Sequence, residues 1–298
     1  MVRRPVAASG PTAHRGAYLT TLGHGPGGAD NNRSHNREAD EEGHDEYPHW
    51  TQKDIYDRAR MDVERVVAEI DAQLRAQATP ERAVQEKAYL KSALEHYGTT
   101  VPAVRQVVKR VALQQLVMGH DELMALVAAL WAEPVHERRT AAVEFLDMYA
   151  QLLEFDDLAV IERMLREART WAFVDALAGS IVASLVDRDQ RTGMVLDRWA
   201  SDDDFWIRRS ALLALLKGLR RGDGDFERFS RYADTMLDEK EFFIRKAIGW
   251  VLRETAKKRP QMVYEWLLPR ANRLSGVTMR EAVRWLSDEQ RDAVLAAR

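Results

Sequence analysis

The amino-acid sequence predicts an all-α protein, an α-solenoid of HEAT-like helical repeats with a concave cationic groove. Apolar residues recur with helical spacing almost continuously from Trp50 onward. The helical stretches also come in pairs that repeat about every 35 residues, a period typical of stacked helical hairpins. The tetratricopeptide consensus of Trp, Leu-Gly and Tyr is missing, which favours a HEAT-like array.

One position near the start of the second helix of each pair shows the repeat most clearly. It is cationic in five copies and anionic in one, at intervals of 34, 36, 34, 37 and 34 residues. The six slot residues are Arg105, Arg139, Asp175, Arg209, Lys246 and Arg280. Because stacked repeats present equivalent helices along one face, we expect the slot residues to line a single groove.

Composition excludes several classes of protein. The 298 residues are 46% hydrophobic and 31% charged and include no cysteine, which rules out disulfides, thiolate metal sites and cysteine nucleophiles. No apolar run approaches the ~18 residues of a membrane span, and the N-terminus lacks the apolar core of a secretory signal. We therefore expect a cytoplasmic protein. The net charge of −3 does not decide for or against nucleic acid, since binding needs cations on one face only.

The first 49 residues differ from the rest of the chain. They hold seven of the 16 glycines and five of the eight histidines and show no apolar periodicity, so we predict a disordered tail over residues 1–49. The tail histidines are irregularly spaced and are expected to bind metal loosely at most. A start site placed too far upstream is the alternative. The helical repeat domain is predicted over residues 50–298.

Helical periodicity, prolines near helix starts and glycine-containing turns delimit the helices of this domain. They are expected near residues 52–78, 81–95, 102–115, 120–131, 135–153, 156–168, 171–186, 189–199, 204–219, 225–237, 241–257, 260–270, 277–286 and 288–297.

The cations of the groove form a candidate surface for phosphates. Phosphate contacts supply affinity without sequence specificity, and exposed helix N-termini add backbone N–H groups. The candidate contacts are Thr100, Arg105, Arg139, Arg208, Arg245, Lys246 and Arg280. The alternatives are that these arginines pair with neighbouring carboxylates, or that the array is a scaffold for another protein.

The anionic slot residue, Asp175, is the candidate for chemistry. Trp171 lies one helical turn before Asp175, on the same face of the helix. Arg209 fills the next slot, and Trp250 lies four residues after Lys246, which fills the slot that follows Arg209. A neighbouring arginine would keep the carboxylate ionised, so it would orient a water or stabilise developing positive charge rather than donate a proton. A structural salt bridge between adjacent repeats, with both tryptophans in the core, remains the alternative. Four other tryptophans, Trp131, Trp199, Trp266 and Trp285, are expected to serve packing.

No other catalytic set is evident in the sequence. After Trp50 the only histidines are His96, His120 and His136, and no Ser-His-Asp arrangement emerges. His136 has no His-x-x-x-His partner, so the spacing predicts no metal site. Without a glycine-rich phosphate loop before a helix, no cofactor is expected either.

A long segment resembles a known family. The run Asp238-Glu-Lys-Glu-Phe-Phe-Ile-Arg-Lys-Ala-Ile-Gly-Trp-Val-Leu-Arg-Glu254 is very similar to the DNA alkylation repair family of HEAT-like DNA glycosylases (AlkD-like). Shorter segments agree with it in order, at residues 97–105, 130–139, 171–175, 205–209 and 274–282. The resemblance extends over roughly residues 50–290 and leaves out the tail.

The resemblance implies a monofunctional glycosylase of base excision repair. Such enzymes remove N3-methyladenine and N7-methylguanine from duplex DNA, and this family is thought to do so without flipping the base. Family active sites use an aspartate, two tryptophans and an arginine, which match Asp175, Trp171, Trp250 and Arg209. Tyr89 resembles a tyrosine that contacts DNA. Because a solenoid is self-sufficient, we expect a monomer, associated with the nucleoid when it is bound to DNA.

A catalytically inactive helical-repeat module that binds DNA or protein is the competing hypothesis. Inactive relatives tend to lack the catalytic residues, whereas this chain keeps all four, and this favours the enzyme.

Overall fold

Helices account for the regular structure of the residues that the computed structural model describes, which are 61–114 and 118–298. The predicted tail, the domain boundary after residue 49 and the first part of the predicted helix 52–78 lie outside these ranges. All described residues belong to one compact unit. Among them, an isolated parallel bridge between Glu95 and Val135 is the one strand-like contact.

The sixteen α-helices of the described residues follow the predicted order closely. They are α1 (Val63–Arg75), α2 (Pro80–Leu90), α3 (Val101–Gln114), α4 (His120–Ala132), α5 (His136–Met148), α6 (Leu158–Ala168), α7 (Trp171–Ala176), α8 (Ala183–Val186), α9 (Thr192–Trp199), α10 (Phe205–Ala214), α11 (Leu216–Arg221), α12 (Phe226–Met236), α13 (Phe242–Ala256), α14 (Pro260–Leu267), α15 (Gly276–Ala282) and α16 (Asp288–Ala296). Short 3-10 turns separate several of them, and a π-helical segment, Leu177–Val182, joins α7 to α8.

The slot residues lie on α3, α5, α7, α10, α13 and α15, the slot helices. Successive slot helices pack directly against one another in a continuous row, and α4, α6, α9 and α12 each pack against the slot helix that follows. A fixed spacing in the sequence therefore becomes adjacency in space, as expected for stacked repeats. The all-α, solenoid-like fold predicted from the sequence is confirmed.

Side chains one repeat apart bond the array together. The indole N–H groups of Trp131 and Trp199 donate to Glu167 and Glu162, 36 and 37 residues away, and Trp266 donates to Ser230 at a separation of 36. These three tryptophans are buried, in agreement with a packing role. Trp285 differs, because it is 55% exposed and lies against the Lys257 ammonium, 5.7 Å from the ring centre.

The second helix is shorter than predicted and packs differently from the rest. It ends at Leu90 rather than near residue 95, because Lys91 adopts a left-handed conformation with φ of 50°. No residue of α2 is buried. Apolar burial therefore contributes less to holding α2 in place than it does for the neighbouring helices.

A buried glutamate fixes the loop that follows α2. Glu137 is fully buried, and its carboxylate accepts the backbone N–H groups of Tyr97, Gly98 and Thr99 at 3.0, 2.6 and 3.1 Å. Gly98 has φ of 85°, and a Cβ there would lie 2.1 Å from the carbonyl oxygen of Thr79, so only glycine fits.

None of the described helices is both long and apolar enough to cross a membrane.

Glu162 is a hub between repeats and is expected to make the protein acid-sensitive. Arg166, Arg198 and Trp199 all donate to its carboxylate. The hydrogen bond from Arg198 is the largest cause that lowers the pKa of Glu162 to about 2, against the opposing effect of burial. A folded-state pKa below the unfolded value means that the stabilisation is complete above the unfolded pKa and is lost as the pH falls toward the folded one.

We predict that Glu162→Gln lowers the free energy of unfolding by about 2–3 kcal/mol at pH 7. The difference from the unsubstituted protein should shrink by more than half between pH 5 and pH 3, because the glutamate in the unfolded chain becomes protonated there. Urea unfolding at several pH values measures this. The matched control is Glu227→Gln, since Glu227 is 89% exposed and should show little change. A pH-independent difference would contradict the assignment.

Candidate active site

The residues predicted to carry chemistry meet in one cleft of about 480 Å³. The cleft is lined by Tyr89, Trp171, Asp175, Arg209, Phe242, Phe243, Lys246, Trp250, Arg253 and Glu281. All four predicted catalytic residues are among them, with two of the predicted DNA contacts, Tyr89 and Lys246. Three successive slot helices, α7, α10 and α13, contribute most of the lining.

Local structure sets the direction of the two residues on α7. Thr170 caps this helix, its hydroxyl accepting the backbone N–H of Ala172, so the helix begins at Trp171. Trp171 and Asp175 are then one turn apart on the same face. The π-helical segment begins two residues after Asp175, and such segments are frequent near functional sites.

Close packing of α15 on α13 positions Trp250. The preceding residue, Gly249, lies where an added Cβ would be 2.9 Å from the Cβ of Glu281 and 3.0 Å from the carbonyl oxygen of Thr278. Glycine at residue 249 lets the two helices approach, so that Trp250 and Glu281 face the same cleft.

Asp175 and Arg209 form a two-pronged ion pair between adjacent repeats. Nε of Arg209 donates to Oδ1 of Asp175 and Nη2 donates to Oδ2, both at 2.8 Å. Nη1 of Arg209 donates to the backbone carbonyl of Phe243 on the next slot helix. The Arg209 side chain is 2% exposed, so its guanidinium lies behind the carboxylate and has little access to a phosphate.

The carboxylate of Asp175 can still accept hydrogen bonds on the side that faces the cleft. Its side chain is 20% exposed, in contrast to its partner. Each carboxylate oxygen offers two lone pairs, and Arg209 uses one on each. The remaining lone pairs are available to a water molecule or to a positive charge that enters the cleft.

Aromatic side chains form the walls around this carboxylate. Trp171 and Trp250 are half-buried and pack on the core with part of each ring facing the cleft. Tyr89 meets Trp171 edge to face, with ring centroids 6.1 Å apart, although Tyr89 itself is 73% exposed. Electron-rich aromatic faces beside a carboxylate attract a cation. The salt bridge between Asp175 and Arg209, which the sequence left open as an alternative, is present. Trp171 and Trp250, however, are not simply core residues.

Cations and an ion pair occupy the rim. Lys246 is exposed, with its ammonium 5.9 Å from the centre of the Phe242 ring. Phe242 is itself half exposed. Arg253 pairs with Glu281, so its charge is partly neutralised.

Three arginines predicted to contact DNA are engaged within the protein. Arg139 is 9% exposed and donates to the backbone carbonyls of Trp131 and Glu167, with its guanidinium over the Trp131 ring. Arg208 donates with two nitrogens to Glu239. Arg245 donates to the carbonyl of Glu239. Because Arg139 is buried, it is not available to contact a phosphate. The slot cations therefore do not form a uniform exposed row, since two of the five, Arg139 and Arg209, are buried.

The other predicted contacts remain at the surface. Arg105 pairs with Glu144 at 2.8 Å but is 63% exposed. Arg280 is exposed, and Thr100 is exposed at the start of α3, where its hydroxyl accepts the N–H of Ala103. These three residues and Lys246 keep side chains that a phosphate could reach.

Several lining residues did not emerge from the sequence. Phe242 lies four residues before Lys246, on the same face of α13, and this spacing could have identified it. Glu281 is adjacent to a slot residue, but the repeat pattern contains nothing that marks it. It faces the cleft because α15 packs so closely on α13.

Comparison with known proteins gives three findings. A model of the DNA alkylation repair enzyme family matches residues 70–286. The fold is similar to that of a predicted DNA alkylation repair enzyme from Enterococcus faecalis, with a TM-score of 0.64 and 23% identity over 71% of this chain and 98% of that one. A weaker similarity, with a TM-score of 0.44 and 17% identity, relates 79% of this chain to 65% of the Pseudomonas fluorescens alkylpurine DNA glycosylase AlkC bound to DNA containing an abasic site analog. No curated protein matches significantly.

We predict that two slot arginines contribute unequally to the stability of the fold, because one belongs to a buried ion pair and the other to an exposed pair. Arg209→Met should lower the free energy of unfolding by about 3–5 kcal/mol, because it leaves the Asp175 carboxylate without its partner in a largely buried place. Arg105→Met removes an arginine from an exposed pair and should cost about 1 kcal/mol or less. Urea unfolding of both variants at pH 7 measures the difference. Equal effects would show that the Asp175–Arg209 pair contributes no more than a surface pair.

Proposed function

The chain belongs to the DNA alkylation repair enzyme family, and on that premise we propose that it is a monofunctional DNA glycosylase. It hydrolyses the N-glycosidic bond of cationic alkylpurines, chiefly N3-methyladenine and N7-methylguanine, in duplex DNA. The product is an abasic site that base excision repair processes further. The observation that carries the proposal is the Asp175 carboxylate, held through both oxygens and facing a cleft with aromatic walls.

The lesion explains why a carboxylate is sufficient. N3- and N7-alkylpurines carry a formal positive charge, so the base leaves without a proton donor. The bond between C1′ and the purine nitrogen breaks with both electrons going to the base, which departs neutral, and positive charge develops on the deoxyribose. Water adds to C1′ and gives up one proton. No cofactor takes part in these steps.

Asp175 stabilises the developing charge. A carboxylate about 4 Å from it contributes roughly 4 kcal/mol at an effective dielectric constant near 20. That energy corresponds to about a thousandfold in rate. The lone pairs not used by Arg209 also orient the attacking water. The faces of Trp171 and Trp250 favour the same cationic sugar.

Arg209 acts through Asp175 rather than on the DNA. Its guanidinium is buried and bonded to both carboxylate oxygens, so it holds Asp175 in a fixed orientation. Preorganised charge of this kind lowers a barrier because no reorientation is needed as the bond breaks.

The DNA backbone runs along the exposed ends of the slot helices. Lys246, Arg280, Arg105 and Thr100 contact phosphates, and Tyr89 packs against the backbone beside Trp171. Such contacts hold duplex DNA without reading its sequence. In keeping with the family resemblance, the base stays near its stack and is not flipped into the cleft. The protein acts as a monomer.

The proposal predicts that Asp175→Asn slows the release of methylated purines from methylated duplex DNA by about a thousandfold. DNA binding should persist, because the asparagine keeps the size of the side chain. Single-turnover base release and fluorescence anisotropy with duplex DNA measure the two properties separately.

The structure supplies a control for this experiment. Asp187 also makes a two-pronged pair with an arginine 34 residues away, Arg221, but that arginine is 44% exposed and the pair lies outside the cleft. Asp187→Asn should leave base release unchanged. Undiminished release by Asp175→Asn would remove this residue from the mechanism. Absence of any release from the unsubstituted protein, with DNA binding intact, would favour a binding module.

The proposal also predicts that release depends on the charge of the lesion. Alkali opens the imidazole ring of N7-methylguanine and gives a neutral lesion at the same position in the same DNA. The proposed mechanism includes no proton donor to help a neutral base leave, so release of the ring-opened base should fall below detection while N7-methylguanine is released. Chromatography of bases freed from the two DNA samples measures this. Comparable release of both would require a general acid that the mechanism lacks.

A further inference from the structure

Behind the cleft, three side chains from distant parts of the sequence converge. Glu86 of α2, His96 of the following loop and His136 of α5 each direct one nitrogen or oxygen atom to a common place, and these atoms lie within 4.8 Å of one another. Two imidazoles and a carboxylate form a ligand set that suits zinc and similar divalent ions.

The polar atoms of this cluster are buried and unpartnered. The His96 side chain is 0% exposed and His136 is 4% exposed. Both ring nitrogens of His96, Nδ1 of His136 and Oε2 of Glu86 have no hydrogen-bond partner among the described residues. A buried polar group without a partner costs roughly 1–3 kcal/mol, so several in one place call for a ligand.

The charges around the cluster balance one another. Arg82 donates to Oε1 of Glu86, which leaves Oε2 free to face the histidines. The buried carboxylate of Glu137 adds a second negative charge near His96. Two carboxylates, Glu86 and Glu137, face two cations, Arg82 and Lys87, so the local charge is balanced and the affinity for a divalent ion comes from the ligand atoms themselves.

The position of the cluster gives such a site a structural purpose. Helix α2 has no buried residue, so it needs another anchor. Glu86 lies one turn before Tyr89 on that helix, and Tyr89 packs on Trp171. On the other side, the ring of His136 lies 5.0 Å from that of Phe173, two residues before Asp175.

We propose that Glu86, His96 and His136 bind a divalent transition-metal ion, best matched by Zn²⁺, which anchors α2 and so holds Tyr89 against Trp171. The sequence predicts no metal site, because His136 has no second histidine at helical spacing; the fold supplies its partners from residues 40 and 50 positions away. The two imidazoles are stacked, with centroids 4.4 Å apart and planes 10° apart. Parallel rings cannot both aim at one ion, so one ring rotates about its Cβ–Cγ bond on binding.

Zn²⁺ binding by the full-length chain tests the proposal. In every protein compared, the five tail histidines, His14, His24, His35, His44 and His49, are replaced by glutamine, which removes loose binding there. Competition with a chromophoric chelator should show one Zn²⁺ per chain. Glu86→Gln and His96→Gln should each weaken Zn²⁺ binding by at least about tenfold. Even the loss of an outer-shell partner of a metal ligand lowers metal affinity by about that factor or more. His120→Gln, a histidine outside the cluster, should bind as before.

Hydrogen exchange supplies a second measurement. Zn²⁺ should slow exchange of the amides of α2 in the protein that keeps all three ligands and should have no effect on α2 in Glu86→Gln. Glu86 lies on the helix without buried residues, so its substitution should leave the fold intact even if His96→Gln does not fold. Lack of saturable binding, equal affinity in the Glu86→Gln variant, or binding without protection of α2 would each overturn the proposal.

Discussion

The ion pair between Asp175 and Arg209 is the contact on which the site depends. Arg209 is almost fully buried, and a buried guanidinium is tolerated only where its charge and its N–H groups are matched. Asp175 provides the charge from the preceding slot helix, and the carbonyl of Phe243 provides a further acceptor from the following one. One arginine thus fixes three successive repeats relative to each other, and the cleft is the space that they enclose around the carboxylate.

Ion pairs of this kind recur along the array, and comparing them supports the proposal that places the chemistry at residue 175. Arg221 pairs with Asp187, and Arg270 pairs with Asp234, across 34 and 36 residues. Neither pair lies among the residues that line the cleft. Within residues 61–114 and 118–298, only Asp175 combines a carboxylate held by both oxygens with tryptophan faces from two different slot helices. Stacking therefore provides many anionic positions, and the aromatic walls single out one of them.

The four predicted catalytic residues could be placed together from the sequence because their spacing follows the repeat, whereas other lining residues, such as Glu281, could not. Stacking turns 34 residues into a direct neighbour, so Asp175, Arg209 and Trp250 meet without any detailed knowledge of packing. Burial could not be predicted in the same way. Arg139 occupies an equivalent slot, yet its guanidinium packs on the Trp131 ring and donates to backbone carbonyls. The side chains around Arg139 differ from those around Lys246, and this difference decides which cation is buried. The meeting of Glu86, His96 and His136 was also hidden, since their separations of 10 and 40 residues match neither a helical turn nor the repeat.

The two interpretations of Asp175 that the sequence left open are compatible once the geometry is known. A structural salt bridge would compete with catalysis if it used the whole carboxylate, but Arg209 occupies one lone pair on each oxygen and approaches from the buried side. The other side faces the cleft. The same partner that makes the carboxylate structurally necessary also turns its free lone pairs toward the cleft. A site built in this way suits a substrate that brings its own positive charge and is poorly suited to a neutral one.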